Sequence, residues 1–466
     1  MKQILMCVLA ASLSTAVAAQ EKFELGKPNN SNYRYLDNYQ ALKDYINYEK
    51  YPNFKLGIGT TVNDYFSNQA FRNLVNKNFT ETVAGNAMKM GSCVDANGNM
   101  NFANVKRYVQ AATEAGLNVY GHTLAWHSQQ PNAWLRSLIS GQSQQVRHDT
   151  LVYAMDKWIK GMMEACNGKV KAWDLVNEAI AGDGNDGQGN YTLQHSDAYK
   201  KGTWDVGGDA FFWQDHLGDL DYVRQACRLA RKYGPKDVKL FINDYNLESD
   251  WDGNKKVKSL VNWIKKWEAD GETHIDGIGT QMHITCFEDD NTMTSIKQHI
   301  TTMFEVMAAS GKLCRISEMD MGYVRGTNNR WGDKTKTPQL TEAEHQKMAS
   351  FYEWIIQEYL RVIPADQQWG ICQWCPTDAP DMKYMWRRNE PVGIWDLSYN
   401  RKHAYAGFVR GLAGGEPTSG ISSPHTDRNI STQKGIYNLN GTRLSATTID
   451  ELPHGIYVVD GQKIAK

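Results

Sequence analysis

The chain lacks a surplus of either charge. Its 51 Lys and Arg stand against 52 Asp and Glu, a formal net charge of −1 over 466 residues. Such a balance excludes nucleic acid or an acidic membrane as the main partner. It also lacks cysteine patterning. Of eight cysteines, Cys7 lies in the N-terminal apolar run, and the remaining seven are an odd number in a chain too large to need disulfide staples. Cys372-Gln373-Trp374-Cys375 has C-x-x-C spacing, but a redox motif of that kind belongs at a helix N-terminus and these residues lie in a strand-like run. Zinc would require a second pair, and none exists. Free buried thiols are the expectation, with no metal and no cofactor. No glycine fingerprint follows the first strand, which counts against a doubly wound dinucleotide-binding sheet.

What the chain has in quantity is aromatic: 15 Trp and 23 Tyr. These serve either as core or as platforms for sugar rings. The N-terminus offers Lys2 as a basic start, an apolar run over 4–13 too short to span a membrane, and small residues at Ala16-Val17-Ala18-Ala19. Residues 1–19 therefore read as a cleaved signal peptide, and the protein as exported, periplasmic or extracellular.

From residue 54 onward, apolar strand-like runs alternate with longer amphipathic segments. Strands are predicted at 54–59, 79–84, 118–126, 170–177, 238–245, 277–283, 313–319 and 370–376. Helices are predicted at 101–115, 144–165, 222–233, 255–269, 294–309, 342–359 and 403–412. Eight strand-then-helix units indicate an α/β fold, a (β/α)8 TIM barrel over 20–413, with strands covered on both faces. Polar residues gather at strand C-termini, the barrel face that carries active sites: His122, Trp126, Asn177, Glu178, Asn243, Asp244, Gln281, His283, Glu318 and Asp320. A Gly/Ser/Pro/Thr-rich linker over 414–434 precedes a short β-rich tail, 435–466. There "IYNLNGTRL" and "GIYVVDGQKIAK" each place an Asn-Gly or Asp-Gly turn between apolar runs. The tail reads either as a cap on the barrel or as a sorting element.

Glu178 and Glu318 each end an apolar run, on the fourth and seventh predicted strands, which face each other across a barrel mouth. Two carboxylates across a cleft are what glycoside hydrolysis requires: one protonates the leaving oxygen, and the other attacks the anomeric carbon or activates water. A pair of barrel-mouth salt-bridge acids is the competing reading. Asn177 precedes Glu178, and an amide there suits a sugar 2-hydroxyl. Gln281 and His283, two apart on one predicted strand, share a face, as do Glu318 and Asp320. His283 is thereby placed to bridge Glu318 and Asp320. His122 and His127, five apart, fall on opposite faces of a strand, which argues against shared metal ligation. Trp126 and Trp374 are each a core aromatic or a sugar platform.

"GHTLAWHSQQPNAW" (121–134), "WDLVNEAI" (173–180), "FINDYN" (241–246), "GIGTQMHI" (277–284) and "ISEMDM" (316–321), in this order, resemble the motif series of family 10 glycoside hydrolases, retaining endo-β-1,4-xylanases. The resemblance covers about residues 40 to 413. It implies Glu178 as acid/base and Glu318 as nucleophile of a double displacement, supported by Asn177, His283 and Asp320. It further implies substrate contacts from Asn86, Lys89, His122, Trp126, Gln129 and Gln281, with Trp374 as aromatic floor. Retention sets the two carboxyl groups about 5–5.5 Å apart. The partner implied is xylan and its oligosaccharides, the protein acting as a monomer. Another β-1,4-glucanase or mannanase of the same clan, or a non-catalytic xylan-binding protein, are the alternatives. Four positions depart from the family pattern. "GNAMKM" carries Gly85 for an acid and Met90 for a tryptophan. Met382 stands where a second tryptophan is usual, with Trp386 nearby to replace it. Cys375 replaces a glycine. The expectation is a more open cleft that takes arabinose or glucuronate branches.

Overall fold

The strands of the central sheet are buried along most of their length, β1 (Lys55–Gly59) except for its first residue, and β4 (Ala172–Asn177) throughout. Strands of that kind need helices on one side and one another on the other. The computed structural model describes residues 31–197, 210–327, 332–415, 436–437, 444, 456–459 and 462–465. The expected signal peptide, and nearly all of the expected linker, lie outside the described residues. The remaining strands of the main unit are β2 (Glu81–Val83), β3 (Asn118–Gly121), β5 (Lys239–Asp244), β6 (Gly277–Thr280), β7 (His283–Phe287), β8 (Leu313–Val324) and β9 (Gln368–Gln373).

β1 to β6 pair in sequence, β9 joins β1 to β8, and β8 pairs back to β6. All these pairings are parallel, so eight strands close a (β/α)8 barrel. β8 is thus the seventh barrel strand, three places round from β4. β7 lies outside the ring of eight. It pairs with the upper half of β8 alone, His283 opposite Asp320 through Phe287 opposite Val324, and raises the wall of the mouth.

The barrel is filled at its floor by Val83, Tyr120, Ala172, Phe241 and Cys372, and by a charge pair. Arg315 of β8 is fully buried, ion-paired with Glu81 of β2, its guanidinium carbon 3.8 Å from the Tyr120 ring centroid. Around it run amphipathic helices, among them Gln144–Cys166, Asp221–Tyr233, Lys255–Glu268, Asp290–Ala309, Glu342–Val362 and His403–Ala413. The helix Glu342–Val362 starts at a capping box, with Thr341 and Glu344 each accepting the other's backbone N–H. No helix among the described residues is long and apolar enough to cross a membrane.

Two predicted strands are interrupted. The third ends at Gly121, not 126: the chain bulges at His122-Thr123 and resumes pairing with β4 at Ala125. The sixth breaks at Gln281-Met282, where Met282 takes φ +55°. Helices Gln69–Asn78 and Asn132–Ile139 were not expected from the sequence pattern. In the separate unit Thr418–Lys466, Ile436–Tyr437, Ile456–Val459 and Gln462–Ala465 form an antiparallel sheet in which Val459 pairs with Gln462. All seven cysteines of the described residues are free, and all but Cys375 are buried.

Candidate active site

β4 delivers Asn177 to the barrel mouth, and the chain then turns sharply. Glu178 adopts φ +57°, a left-handed conformation that costs a residue with a Cβ about 1 kcal/mol. It is held there from three sides. Its N–H donates to the Asn243 carbonyl at 2.7 Å, and its carbonyl accepts from Gln194 Nε2 at 2.9 Å. Two residues on, the Ile180 N–H donates to Asp244 Oδ2 at 2.9 Å. Asp244 is in turn anchored by the buried Lys256 ammonium at 2.8 Å. The turn leaves the Glu178 side chain partly open, against Gln281 Nε2 at 3.0 Å and Asn177 Nδ2 at 3.2 Å, both donating to Oε1. His127 Nε2 lies 3.8 Å from Oε2. Burial drives the His127 pKa down to about 3, so it stands there as a neutral imidazole stacked on Phe212.

The Asn177 amide has a fixed sense. Its Oδ1 accepts from Asn243 Nδ2 at 2.9 Å and from Gln281 Nε2 at 3.3 Å, so its NH2 is the group left to face Glu178 and a ligand. Asn243 also donates to Glu318 Oε1 at 2.8 Å, while its own Oδ1 accepts from Ser317 Oγ at 2.6 Å. One fully buried amide thus ties the two halves of the site together. Asn243 was noted in the sequence as a polar strand end but not as a site residue, because its role depends on two strands that are distant in sequence.

Glu318 is buried, with Oε2 3.4 Å from His283 Nε2, while His283 Nδ1 lies 3.0 Å from Asp320 Oδ2. Burial alone would raise the Glu318 pKa. The His283 hydrogen bond and the nearby His122, His283 and Lys89 charges outweigh it and hold the carboxyl at about 2. Burial likewise opposes the charge on His283, and Asp320 and Glu318 overcome it, lifting its pKa to about 10. The result is an ionised carboxylate beside a charged imidazolium at neutral pH. Asp320 is clamped further: Arg387 Nη1 donates to Oδ1 at 2.6 Å and Trp386 Nε1 to Oδ2 at 2.8 Å. Burial works against its ionisation, but His283 and Arg387 hold Asp320 at about 2.

Arg387 had no signal in the sequence, since it arrives on a loop rather than at a strand end. Its place is made by Gly322 of β8: a Cβ there would collide with Arg387 Nη2 and sit 2.7 Å from Glu390 Oε2. Gly322→Ala is expected to cost about 1–3 kcal/mol as an overpacking change, read as a lower urea midpoint, with Arg387 displaced from Asp320.

The other expected contacts line the same mouth. His122 Nδ1 lies 2.8 Å from Asp174 Oδ2, and its ring is 5.8 Å from that of Trp374, which in turn is 6.5 Å from His283. Lys89 donates to Gln129 Oε1 and lies 4.9 Å from the Trp126 ring centroid. Gln129 Nε2 reaches Asn86 Oδ1 at 3.4 Å. The reason given for pairing Gln281 with His283 needs correction. They are not neighbours on one strand face. The break at Met282 ends β6 and starts β7, and the kink turns both side chains into the network. Among the described residues, no group of three or more His, Cys, Asp or Glu is placed to hold a metal ion.

The sequence matches the family model described as glycosyl hydrolase family 10 over residues 46–410. The chain belongs to glycosyl hydrolase family 10. It is similar to endo-beta-1,4-xylanase Xyn10C of Cellvibrio japonicus, 28% identical over 82% of this chain and 60% of that protein. Endo-1,4-beta-xylanase A of Cellvibrio japonicus (strain Ueda107) is 30% identical over 78% of this chain and 56% of that protein. The chain therefore spans under two thirds of the length of these two relatives. Among solved structures, a mutant of xylanase10C from Cellvibrio japonicus in complex with xylopentaose is similar at a TM-score of 0.63. That match has 27% identity and covers 82% of this chain and 71% of that one.

The family 10 departures acquire physical reasons. Gly85 has φ +53°, and a Cβ there would lie 2.7 Å from the Thr60 carbonyl oxygen. This turn is shaped for glycine, and an acid does not fit it without strain. Met90 is buried at the start of helix Met90–Cys93. Met382 is exposed, while Trp386 bonds Asp320 and sets its ring 4.8 Å from His283. Trp386, the candidate to replace the tryptophan absent at Met382, thus stands against His283 and Asp320.

Proposed function

We propose that the chain is a retaining endo-β-1,4-xylanase that cleaves internal bonds of xylan by double displacement. The observation that carries this reading is the asymmetry of the carboxylate pair. Glu318 is buried and held ionised by His283, as a nucleophile must be, whereas Glu178 is partly open at a strand end among neutral donors, where it can exchange protons with solvent. In the first step a Glu318 carboxylate oxygen bonds to the anomeric carbon while Glu178 gives its proton to the departing glycosidic oxygen. In the second, Glu178 takes a proton from water, the oxygen of that water attacks the anomeric carbon, and the Glu318 ester bond breaks. The Asn177 NH2 is placed for the 2-hydroxyl, a contact that strengthens in the transition state. Trp374 supplies the floor and Trp386 a wall.

Family membership, similarity to xylanases and similarity to a structure in complex with xylopentaose support xylan as substrate. The signal-like residues 1–19 support action outside the cytoplasm. The test is reducing-sugar release from xylan, carboxymethylcellulose and mannan in parallel, with proton NMR of the first-formed anomer. Release from xylan with the β-anomer appearing first is expected. Initial α-anomer would overturn retention, and preferential release from carboxymethylcellulose would overturn the substrate.

A further inference from the structure

The two carboxyl oxygens of Glu178 are not equivalent. Oε1 accepts from Gln281 Nε2 at 3.0 Å and from Asn177 Nδ2 at 3.2 Å. Both of its lone pairs are engaged, so a proton carried by this carboxyl sits on Oε2. On the Oε2 side stands His127, with Nε2 3.8 Å away. That nitrogen is shut from solvent and has no hydrogen-bond partner among the described residues, a costly state for a buried polar group until a partner closes on it. The ring is not free to turn elsewhere. It stacks on Phe212 with centroids 4.9 Å apart, and the His127 carbonyl accepts from the Phe211 N–H at 3.0 Å. One dipeptide thus fixes both ring and backbone.

Histidine serves the two carboxylates in opposite charge states. His283, between Glu318 and Asp320, keeps its proton, and its charge helps hold Glu318 ionised. His127 loses its proton to burial. The Asp244 charge opposes that loss, and the Lys256 ammonium, 2.8 Å from Asp244 Oδ1, adds to it. An imidazolium beside Glu178 would favour the bare carboxylate, whereas a neutral ring leaves the acid free to hold its proton. A neutral ring also presents one N–H and one bare nitrogen, and the reaction chooses between them. A bare nitrogen on Oε2 would take the acid's proton for itself. An N–H occupies one lone pair and leaves Oε2 to give a proton to the glycosidic oxygen and later to take one from water.

We infer that His127 is a positioning residue for the acid/base: its Nε2–H closes onto Glu178 Oε2 when a sugar chain fills the mouth, and aims that oxygen at the glycosidic bond. Hydrogen bonds of catalytic groups are often long in a free enzyme and tighten in the Michaelis complex, and here the closure is about 1 Å. The inference rests on the xylanase reading above. Its test uses a leaving group that needs no proton. The readout is the ratio of kcat/KM on xylotetraose to kcat/KM on dinitrophenyl β-xylobioside. His127→Phe keeps an aromatic ring on Phe212 and removes the nitrogen. It is expected to lower that ratio about tenfold, the size of one hydrogen bond to a charged group. His127→Gln, whose amide donates, is expected to restore most of it. A ratio that His127→Phe leaves within twofold overturns the proposal, and so does equal slowing on both substrates, which is what a purely structural role gives. Nitrogen NMR of the full chain, isotopically labelled in histidine and held at neutral pH, needs neither a variant nor turnover. A neutral ring protonated at Nε2 is expected for His127, and an imidazolium or a ring protonated at Nδ1 overturns the proposal. If the parent protein cleaves neither substrate, the xylanase reading has failed, and the NMR result decides the state of His127 by itself.

Discussion

Glu318→Ala is expected to lower kcat/KM on xylan by at least about 10⁴-fold, the scale on which removal of a covalent nucleophile acts, while leaving the fold intact. The role assignment makes a sharper claim than loss of activity. With the nucleophile gone and azide supplied, a small anion has room at the anomeric carbon. A single displacement from an aryl β-xylobioside then gives the α-glycosyl azide. Glu178→Ala behaves differently. An aryl leaving group needs no proton, so the ester to Glu318 still forms, and azide, which needs no general base, opens it to the β-glycosyl azide. Activity on xylan should collapse in this variant while the first step on the aryl substrate survives. Opposite anomers from the two variants would establish which glutamate makes the bond. The same anomer from both would sink the assignment.

The second large effect concerns Asp320. It is fully buried and carries two cations, His283 at 3.0 Å and Arg387 at 2.6 Å, both with little exposure. Asp320→Ala leaves both without their shared counter-charge, and breaking a buried pair from one side costs about 3–5 kcal/mol. A fall of that size in unfolding free energy from urea titration is expected at pH 7. The pH dependence follows from the same cluster. His283 rises from 6.5 to about 10 on folding, so its contribution is fully present below about pH 6.5 and is lost as pH climbs through about 10. Glu318 and Asp320 fall from 4.5 and 3.8 to about 2. Their contribution is present above the unfolded values and lost as pH drops through about 2. The parent protein should show a stability plateau between these limits, and Asp320→Ala should flatten its alkaline shoulder. A variant as stable as the parent with an unchanged shoulder would contradict the clamp.

How much of this was legible in the sequence depended on the distance over which each signal acts. Strand and helix periodicity is local. Hence the barrel, the helices at 144–165 and 255–269, and the strand end before Glu178 were readable within a residue or two, whereas the strand of Glu318, expected to end at 319, runs on to Val324. The partnership of His283 with Glu318 and Asp320 was readable because period-two spacing put both acids on one face. Gln281 reached the site for a reason the pattern hid, since a left-handed residue at Met282 does not announce itself in a side chain as ordinary as methionine. Asn243 and Arg387 were illegible as site residues for another reason. Each is defined by what it bridges, Asn177 to Glu318 in one case and Asp320 to Glu390 in the other, and bridging needs coordinates. Trp386 lay between: it was visible as the candidate to replace the tryptophan absent at Met382, but its bond to Asp320 was not.

β8 runs unbroken for twelve residues, and Glu318 lies at its middle. The amides of Glu318 and Asp320 donate to Gln281 and Met282, and the Met319 carbonyl accepts from Trp374 on the opposite side. Exposing these amides requires parting β8 from the buried kink between β6 and β7, so they belong among the slower ones in the molecule to exchange with deuterium. Glu178 sits past the end of β4, its own amide held by a single carbonyl. It should exchange faster by orders of magnitude. On the proposed roles, the side chain that must hit one carbon atom is mounted inside a long paired strand, and the one that trades protons with water on a segment able to breathe.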